Sequence, residues 1–332
     1  MADPHRSLDR DERNLLGMSP PRELRRDPVT GRVAIVAAGR AARPHTVASA
    51  APEQDAGPEH CPFCPGHEHM TPPEVCRLGD GAPDTPGWRV RVVPNLYPIV
   101  DAFGLPGARG AHEVVVLSPD HRASFGQLDD TAAIEVLRVL RDRAAAHLAS
   151  GLASAAVLVN HRRAAGASIA HPHAQIVSLD ATPPEVEAAE RWAAAHVDDV
   201  LATDLDLARG VGSVLDDGEV AAWFPHAAGS PFTVRLAHRS APARFDQTPD
   251  AELDACALAL RDTLARLREA LADPPYNVTV HSADVDQTGV RRWYAEITPR
   301  ISVQAGFEMA TGILVNTTPA EQAIAVVRAE GR

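Results

Sequence analysis

The chain has 332 residues, 45% of them hydrophobic, and a formal net charge of −12 at pH 7. Such an acidic balance argues against binding a nucleic-acid backbone, and no apolar run reaches membrane-spanning length. All 32 basic side chains are arginine. Without lysine there is no Schiff base, no lysyl-nucleotide intermediate and no Walker-type phosphate loop, so any covalent chemistry needs another nucleophile.

The first stretch, "MADPHRSLDRDERN", is polar and lacks a signal-peptide pattern, which sets a cytoplasmic protein as the expectation. Residues 1–60 are rich in proline, alanine and charge, with one hairpin expected in "LRRDPVTGRVAIVAAGRAARP". "CPFCPGHEHMTPPEV" is punctuated by proline and reads as a loop. Strand and helix signals then alternate. "RVRVVPN" and "HEVVVLSP" are β-branched runs, and "LDDTAAIEVLRVLRDRAAAHL" puts Ile134, Leu137, Leu140 and Leu148 at helical spacing. "SAAVLVNH" and "HPHAQIVSL" read as strands.

The second half repeats the order. "EVAAWFP" and "FTVRLAHR" are strand candidates. An amphipathic helix follows, with Leu253, Leu260, Leu264, Leu267 and Leu271 on one stripe, and then strands "NVTVHSA" and "RWYAEITPR". "HRASF" at His121 answers "HRSAPARF" at His238, and "HPHAQI" answers "RWYAEI". The expected architecture is α+β: two fused, duplicated units with mainly antiparallel sheet and packed helices, residues 1–182 and 183–332.

On a strand, His171, His173 and Gln175 share one face. Pro172 suits an edge strand or a strand's first residue, which places the histidines at an accessible margin of the sheet. The preceding "NHRRAAGAS" offers small residues and Ser168, as a loop approaching phosphate would. Neutral imidazole is a good nucleophile toward phosphorus. Gln175 can donate to a phosphate oxygen but cannot shuttle a proton, which favours passing the group to an ionised phosphate over hydrolysis. In the second half these three positions are Arg292, Tyr294 and Glu296, so the chemistry belongs to the first half.

Cys61-x-x-Cys64 is half of a zinc site. Its partners come from His67, His69, His112, His121 and His171, and spacing does not choose among them. His67 and His69 read as solvent-exposed loop residues, Cys76 and Cys256 as small buried ones.

"CPFCPG", "RVVPNLYP", "HEVVVLSPDH", "AGASIAHPHAQI" and "AGFEMATGI" resemble, in order, the galactose-1-phosphate uridylyltransferases, a transferase branch of the histidine-triad superfamily. The resemblance runs from about residue 24 to 330. It implies a ping-pong transfer of UMP from a UDP-sugar to a sugar 1-phosphate through a nucleotidyl-His173 intermediate. Ser168 and Gln175 would hold phosphate oxygens with Asn160 nearby, Asn95 would face the nucleoside, and Glu308 would contact the sugar. Arg40 and Arg43 match arginines that reach a neighbouring subunit's site, which implies a homodimer. The metal set it implies is Cys61, Cys64, His121 and His171 around a structural Zn²⁺. A second metal site, built in some members from a glutamate and three histidines, is expected to be lost: Glu190 and His281 remain, but Arg292 and Tyr294 fill the other positions.

Three departures bear on substrate, the changed second metal site being one. A family glutamine that holds the hexose is absent around Val315, and an aspartate beside the nucleoside asparagine is Leu96 here. Two rivals therefore stand beside the uridylyltransferase: a nucleotide-sugar or dinucleoside-polyphosphate phosphorylase using the same histidine, and a non-catalytic nucleotide-binding protein.

Overall fold

A computed structural model describes residues 22–38, 57–196, 199–285 and 291–330. Arg40 and Arg43 lie outside them. The expected hairpin is present as β1 (Glu23–Arg26) and β2 (Val33–Val36), antiparallel, with β13 (Leu314–Asn316) added in parallel to β2. The remaining strands form one ten-stranded sheet: β3 (Cys76–Gly79), β4 (Trp88–Pro94), β5 (Gly110–Val116), β7 (His173–Leu179), β6 (Ser154–His161), β11 (Tyr276–His281), β12 (Tyr294–Pro299), β10 (Val234–His238), β9 (Val220–Trp223) and β8 (Ser213–Asp216), in that spatial order.

The order is its own mirror about the β6–β11 pair. From each edge the strands enter in the sequence first, second, third, fifth, fourth of their half. Helix α1 (Asp130–Ala149) sits between β5 and β6, and α4 (Asp250–Ala270) between β10 and β11, each preceded by a 3₁₀ turn at Phe125 or Phe245. This is the duplicated α+β architecture.

Alternation along the strands divides the sheet into two faces. Val115, Val157, Val159, Ala174, Ile176, Val278, Ala295 and Ile297 join the buried sides of α1 and α4 in the main hydrophobic core. Asp129 caps α1 by accepting the Ala132 N–H, so its start follows the residue that the sequence marks. The buried stripe of α1 is rotated from expectation: Ala133, Val136, Leu137, Leu140 and Ala144 are buried, while Ile134 and Leu148 are half-buried. Small alanines set the closest approach to the sheet and bring their own side of the helix inward.

The opposite face carries the polar residues of the histidine strand. Around the second half it is covered by α2 (Pro184–Ala194), α3 (Val200–Arg209) and the β1–β2 turn through Val29, Ala193, Leu201, Leu205, Trp223 and Tyr294. Around the first half it meets the Cys61–Cys64 loop, where Phe63, Trp88, Val93, Val114 and Val116 cluster.

Two sequence expectations change here. The histidine strand is not at a margin: β7 pairs with β5 on one side and β6 on the other, and His171 and His173 are 0% and 5% exposed. Pro172 stands one residue before β7, where its missing N–H interrupts no ladder and its carbonyl still accepts the Leu117 N–H. The His121–His238 overlay also fails locally, because His238 ends β10 whereas His121 lies in the loop beyond β5. The matching turns align Phe125 with Phe245, and the strands keep the expected alignment of His173 with Tyr294.

Candidate active site

Four ligand atoms converge under the N-terminal end of β7. Cys61, Cys64, His121 and His171 place their donors within 4.8 Å of one another. His171 Nδ1 lies 3.7 Å from Cys61 Sγ and 3.5 Å from Cys64 Sγ, and His121 Nδ1 lies 3.3 Å from Cys64 Sγ. Ligands about 2.0–2.3 Å from a tetrahedral ion stand at roughly such mutual distances. His171 Nε2 is 2.8 Å from the Ser118 carbonyl. Donating there, the ring keeps its proton on Nε2 and turns the Nδ1 lone pair toward the thiols, as the outer partner of a metal-bound imidazole does. Burial holds the His171 pKa down to about 4, so the ring is a neutral ligand near pH 7. The donor set fits Zn²⁺.

Glu68, buried in the same loop, accepts from Trp88 Nε1 (2.8 Å) and from the Gly66 N–H (2.9 Å), tying the loop to β4. Nothing in the order of residues along the chain marks this brace. His69 is exposed as expected, but His67 is half-buried with Nδ1 2.8 Å from the Cys61 carbonyl. Cys256 is buried, whereas Cys76, expected inside, is exposed on edge strand β3.

One residue links this centre to the chemistry. The His171 carbonyl is 2.9 Å from His173 Nδ1. That backbone acceptor takes the Nδ1 proton and leaves Nε2 with its lone pair. Burial lowers the His173 pKa against the opposing pull of the same hydrogen bond, so the ring is held neutral. Phe63 packs its ring edge against both histidines, at 6.2 Å from His171 and 5.3 Å from His173. His173 is therefore oriented and neutral.

Two amides flank it. Gln175 shares the face of His173, with Oε1 2.8 Å from His112 Nε2. Asn160, near the end of β6, has its Oδ1 occupied by Asn277 Nδ2 at 2.7 Å, and the same Asn277 nitrogen donates to the Ala165 carbonyl at 2.8 Å. Asn277 faces Asn160 directly in the β6–β11 register, a pairing only the assembled sheet creates. In both amides the oxygen is engaged within the protein.

The loop from β6 to β7 turns at Arg162, whose φ of 68° is uncommon outside glycine; its carbonyl gathers the Ala165 and Ala167 N–H groups. Arg162 pairs with Asp273. Ser168 follows in an exposed bend, and Asn95, half-buried, accepts the Tyr97 N–H through Oδ1 at 2.8 Å. Glu308 caps its own short helix α5 (Gly306–Thr311) by accepting the Ala305 N–H. That contact is local to the helix and does not reach the His173 cluster.

In the second half, Glu190 is engaged by Arg291 at 3.1 and 2.9 Å, and His281 stacks on Tyr294 with ring centroids 4.6 Å apart. Arg292 turns away to the His238 and Arg239 carbonyls. A guanidinium already answers the Glu190 charge, and these residues do not fit a second metal ion. Among the described residues, the Cys₂His₂ set is the one cluster of metal-donor side chains.

Residues 94–183 match the family profile "Galactose-1-phosphate uridyl transferase, N-terminal domain". An ADP-glucose phosphorylase from Arabidopsis thaliana is 28% identical across 99% of both chains. A galactose-1-phosphate uridylyltransferase from Streptomyces lividans is 29% identical over 64% of this chain and 55% of that one. The crystal structure of the Arabidopsis ADP-glucose phosphorylase with bound ADP-glucose superposes with a TM-score of 0.80 at 26% identity, covering 93% of this chain and 99% of that one. A uridylyltransferase structure gives 0.70, also at 26% identity, covering 93% and 98%. Sequence and fold agree with the motifs read along the chain: residues 94–183 match the N-terminal domain of the galactose-1-phosphate uridylyltransferase family, and the whole fold is similar to that of its relatives.

Proposed function

We propose that this chain is a nucleotidyl-transferring enzyme acting through His173, and that its donor is a nucleotide sugar. The observation that carries the reading is the His171 carbonyl on His173 Nδ1, which leaves a neutral, oriented Nε2 beside two amides whose oxygens are already engaged. In the first step Nε2 attacks the α-phosphorus, the bond from that phosphorus to the bridging oxygen breaks, and sugar 1-phosphate leaves with the bond electrons. In the second step a phosphate oxygen attacks the same phosphorus and the P–N bond breaks, returning the lone pair to His173. Both attacking groups arrive ionised or neutral with a lone pair, so Gln175 need not move a proton. Gln175, Asn160 and Ser168 donate to the phosphoryl oxygens where charge builds. Cys61, Cys64, His121 and His171 would hold a Zn²⁺ that would supply rigidity, since a Cys₂His₂ set is the donor pattern of structural zinc.

Asn95 faces the nucleoside, Glu308 reaches the sugar, and Arg40 and Arg43 serve a neighbouring subunit's site in a homodimer; residues 1–182 carry the reaction and 183–332 support it. Between acceptors, we favour inorganic phosphate and an ADP-sugar donor over UMP transfer between sugar 1-phosphates. The end-to-end similarity to the ADP-glucose phosphorylase supports this, as does the absence of the hexose-holding glutamine near Val315. Incubation with ADP-glucose or UDP-glucose without acceptor, followed by intact mass at neutral or basic pH, tests both levels. An AMP-sized adduct, discharged by phosphate to give ADP, is the expected result. A UMP-sized adduct discharged by sugar 1-phosphate would restore the uridylyltransferase, and no adduct on either donor would overturn covalent transfer from nucleotide sugars.

A further inference from the structure

His112 entered as one of five candidate metal ligands, and the structure gives both its nitrogens other partners. The Ile99 N–H donates to Nδ1 at 3.1 Å, and Nε2 lies 2.8 Å from Gln175 Oε1 and 3.0 Å from Asn95 Nδ2. A neutral ring that accepts at Nδ1 carries its proton on Nε2. Of the two groups near Nε2, Asn95 Nδ2 is itself a donor, since the Asn95 oxygen takes the Tyr97 N–H. The proton therefore goes to Gln175 Oε1. His112 is 6% exposed and sits opposite Val177 on β5, a diagonal neighbour of Gln175 within reach of a long side chain.

This arrangement decides which end of the Gln175 amide faces the substrate. Turning the amide over would leave the Nε2–H facing two NH₂ groups, those of Gln175 and Asn95, with no acceptor between them. We infer that His112 is a positioning residue for phosphoryl transfer: by holding Gln175 Oε1 it presents the Gln175 NH₂ beside His173 and ties that amide to the segment carrying Asn95. The far flank uses the same device, with Asn277 holding Asn160 Oδ1. The inference rests on the nucleotidyl-His173 reading and adds to it the group that orients the donor.

The test is single-turnover formation of the nucleotidyl adduct from ADP-glucose or UDP-glucose by the full-length, zinc-loaded protein, across donor concentrations. His112→Phe keeps a ring but removes the proton for Oε1. It is expected to lower the maximal rate of adduct formation about 10²-fold, the scale of losing one transition-state donor, while the donor concentration at half-maximal rate changes far less. In a Gln175→Ala background the same substitution adds no further loss, because His112 acts through that amide. His112→Gln, which keeps an N–H for the Gln175 oxygen, recovers most of the rate and also serves where the Phe variant does not fold. Wild-type rates in His112→Phe, or equal losses with and without Gln175, would overturn the inference while leaving the covalent reading intact. An equal loss in His112→Gln would do the same. No adduct in the wild type on either donor would take down the reading and the inference together.

Discussion

The two halves of the sheet put the same strand positions to opposite uses. Where β7 carries His173 and Gln175, β12 carries Tyr294 and Glu296; where β5 sets Val114 opposite Gln175, β10 sets Arg235 opposite Glu296. In the first half that face keeps an imidazole lone pair and two oriented amides. In the second it is a closed ionic core. Arg235 pairs with Asp27 (2.6 Å), Asp204 (3.0 Å) and Glu296 (3.1 Å), and Trp223 Nε1 donates to Asp204 at 2.8 Å. The difference lies in what covers the face. Helices α2 and α3 and the β1–β2 turn seal the second half, so its polar groups must satisfy one another. The first half is roofed near β7 by the compact Cys61–Cys64 loop, and the oxygens of its two amides are held by His112 and Asn277 instead of by one another.

The sharpest way to break the comparison is His173→Ala. It should abolish the mass adduct and lower turnover by at least about 10⁴-fold, the scale of losing a nucleophile, with the melting temperature little changed. Tyr294→His, its counterpart, should yield no adduct at the second site, because residue 294 is fully buried beneath α2 and α3 and a nucleotide cannot reach it. Adduct detected on residue 294 by peptide mapping would sink that account.

Next in size is the metal. Cys61→Ala should lose bound zinc by elemental analysis. It should also slow adduct formation about 10–100-fold, because the His171 carbonyl that orients His173 is then no longer anchored. Full zinc content or an unchanged rate would separate the metal from the nucleophile.

The ionic core should show itself in stability and its pH dependence. Arg235→Met leaves Asp27 and its neighbouring acids buried without a cation, and urea unfolding near pH 7 should register a loss of about 3–5 kcal/mol. Burial alone would raise the Asp27 pKa, but the Arg235 charge and hydrogen bonds prevail and hold it below 3.8. A depressed carboxylate stabilises the fold above its unfolded pKa, and that contribution is lost as pH falls through the lower folded value. In wild type the loss thus comes below pH 3.8. In the variant burial governs, the folded pKa rises above the unfolded one, and the deficit should shrink as pH falls from 7 toward 4. A deficit independent of pH would rule out this carboxylate as its source. Smallest is Glu68→Gln, which sets an amide donor against Trp88 Nε1–H or Gly66 N–H. It should cost about 1–3 kcal/mol in the same titration and weaken zinc retention.

Much of the site was legible along the chain because its chemistry is local. C-x-x-C keeps two thiols within one turn of chain, and H-x-H-x-Q on a strand must share a face. The resemblance then supplied His121, 57 residues from Cys64, which spacing left open. His112 and Asn277 were not legible as partners. His112 lies 63 residues from Gln175 and Asn277 lies 117 from Asn160, and each meets its amide only through strand pairing. Pro172 misled for a related reason: a proline excludes a ladder position but does not say whether it stands at the sheet's edge or just before a central strand.

By itself, then, the sequence determined the α+β repeat, the shared face of His171, His173 and Gln175, and the soft metal donors, because periodicity and residue chemistry act over a few positions. Tertiary structure decided that β7 is central, that the His171 carbonyl orients the His173 ring, which partners hold the Gln175 and Asn160 oxygens, and that Arg235 closes the second face. Those are choices among partners distant in sequence, and the register of the sheet makes them.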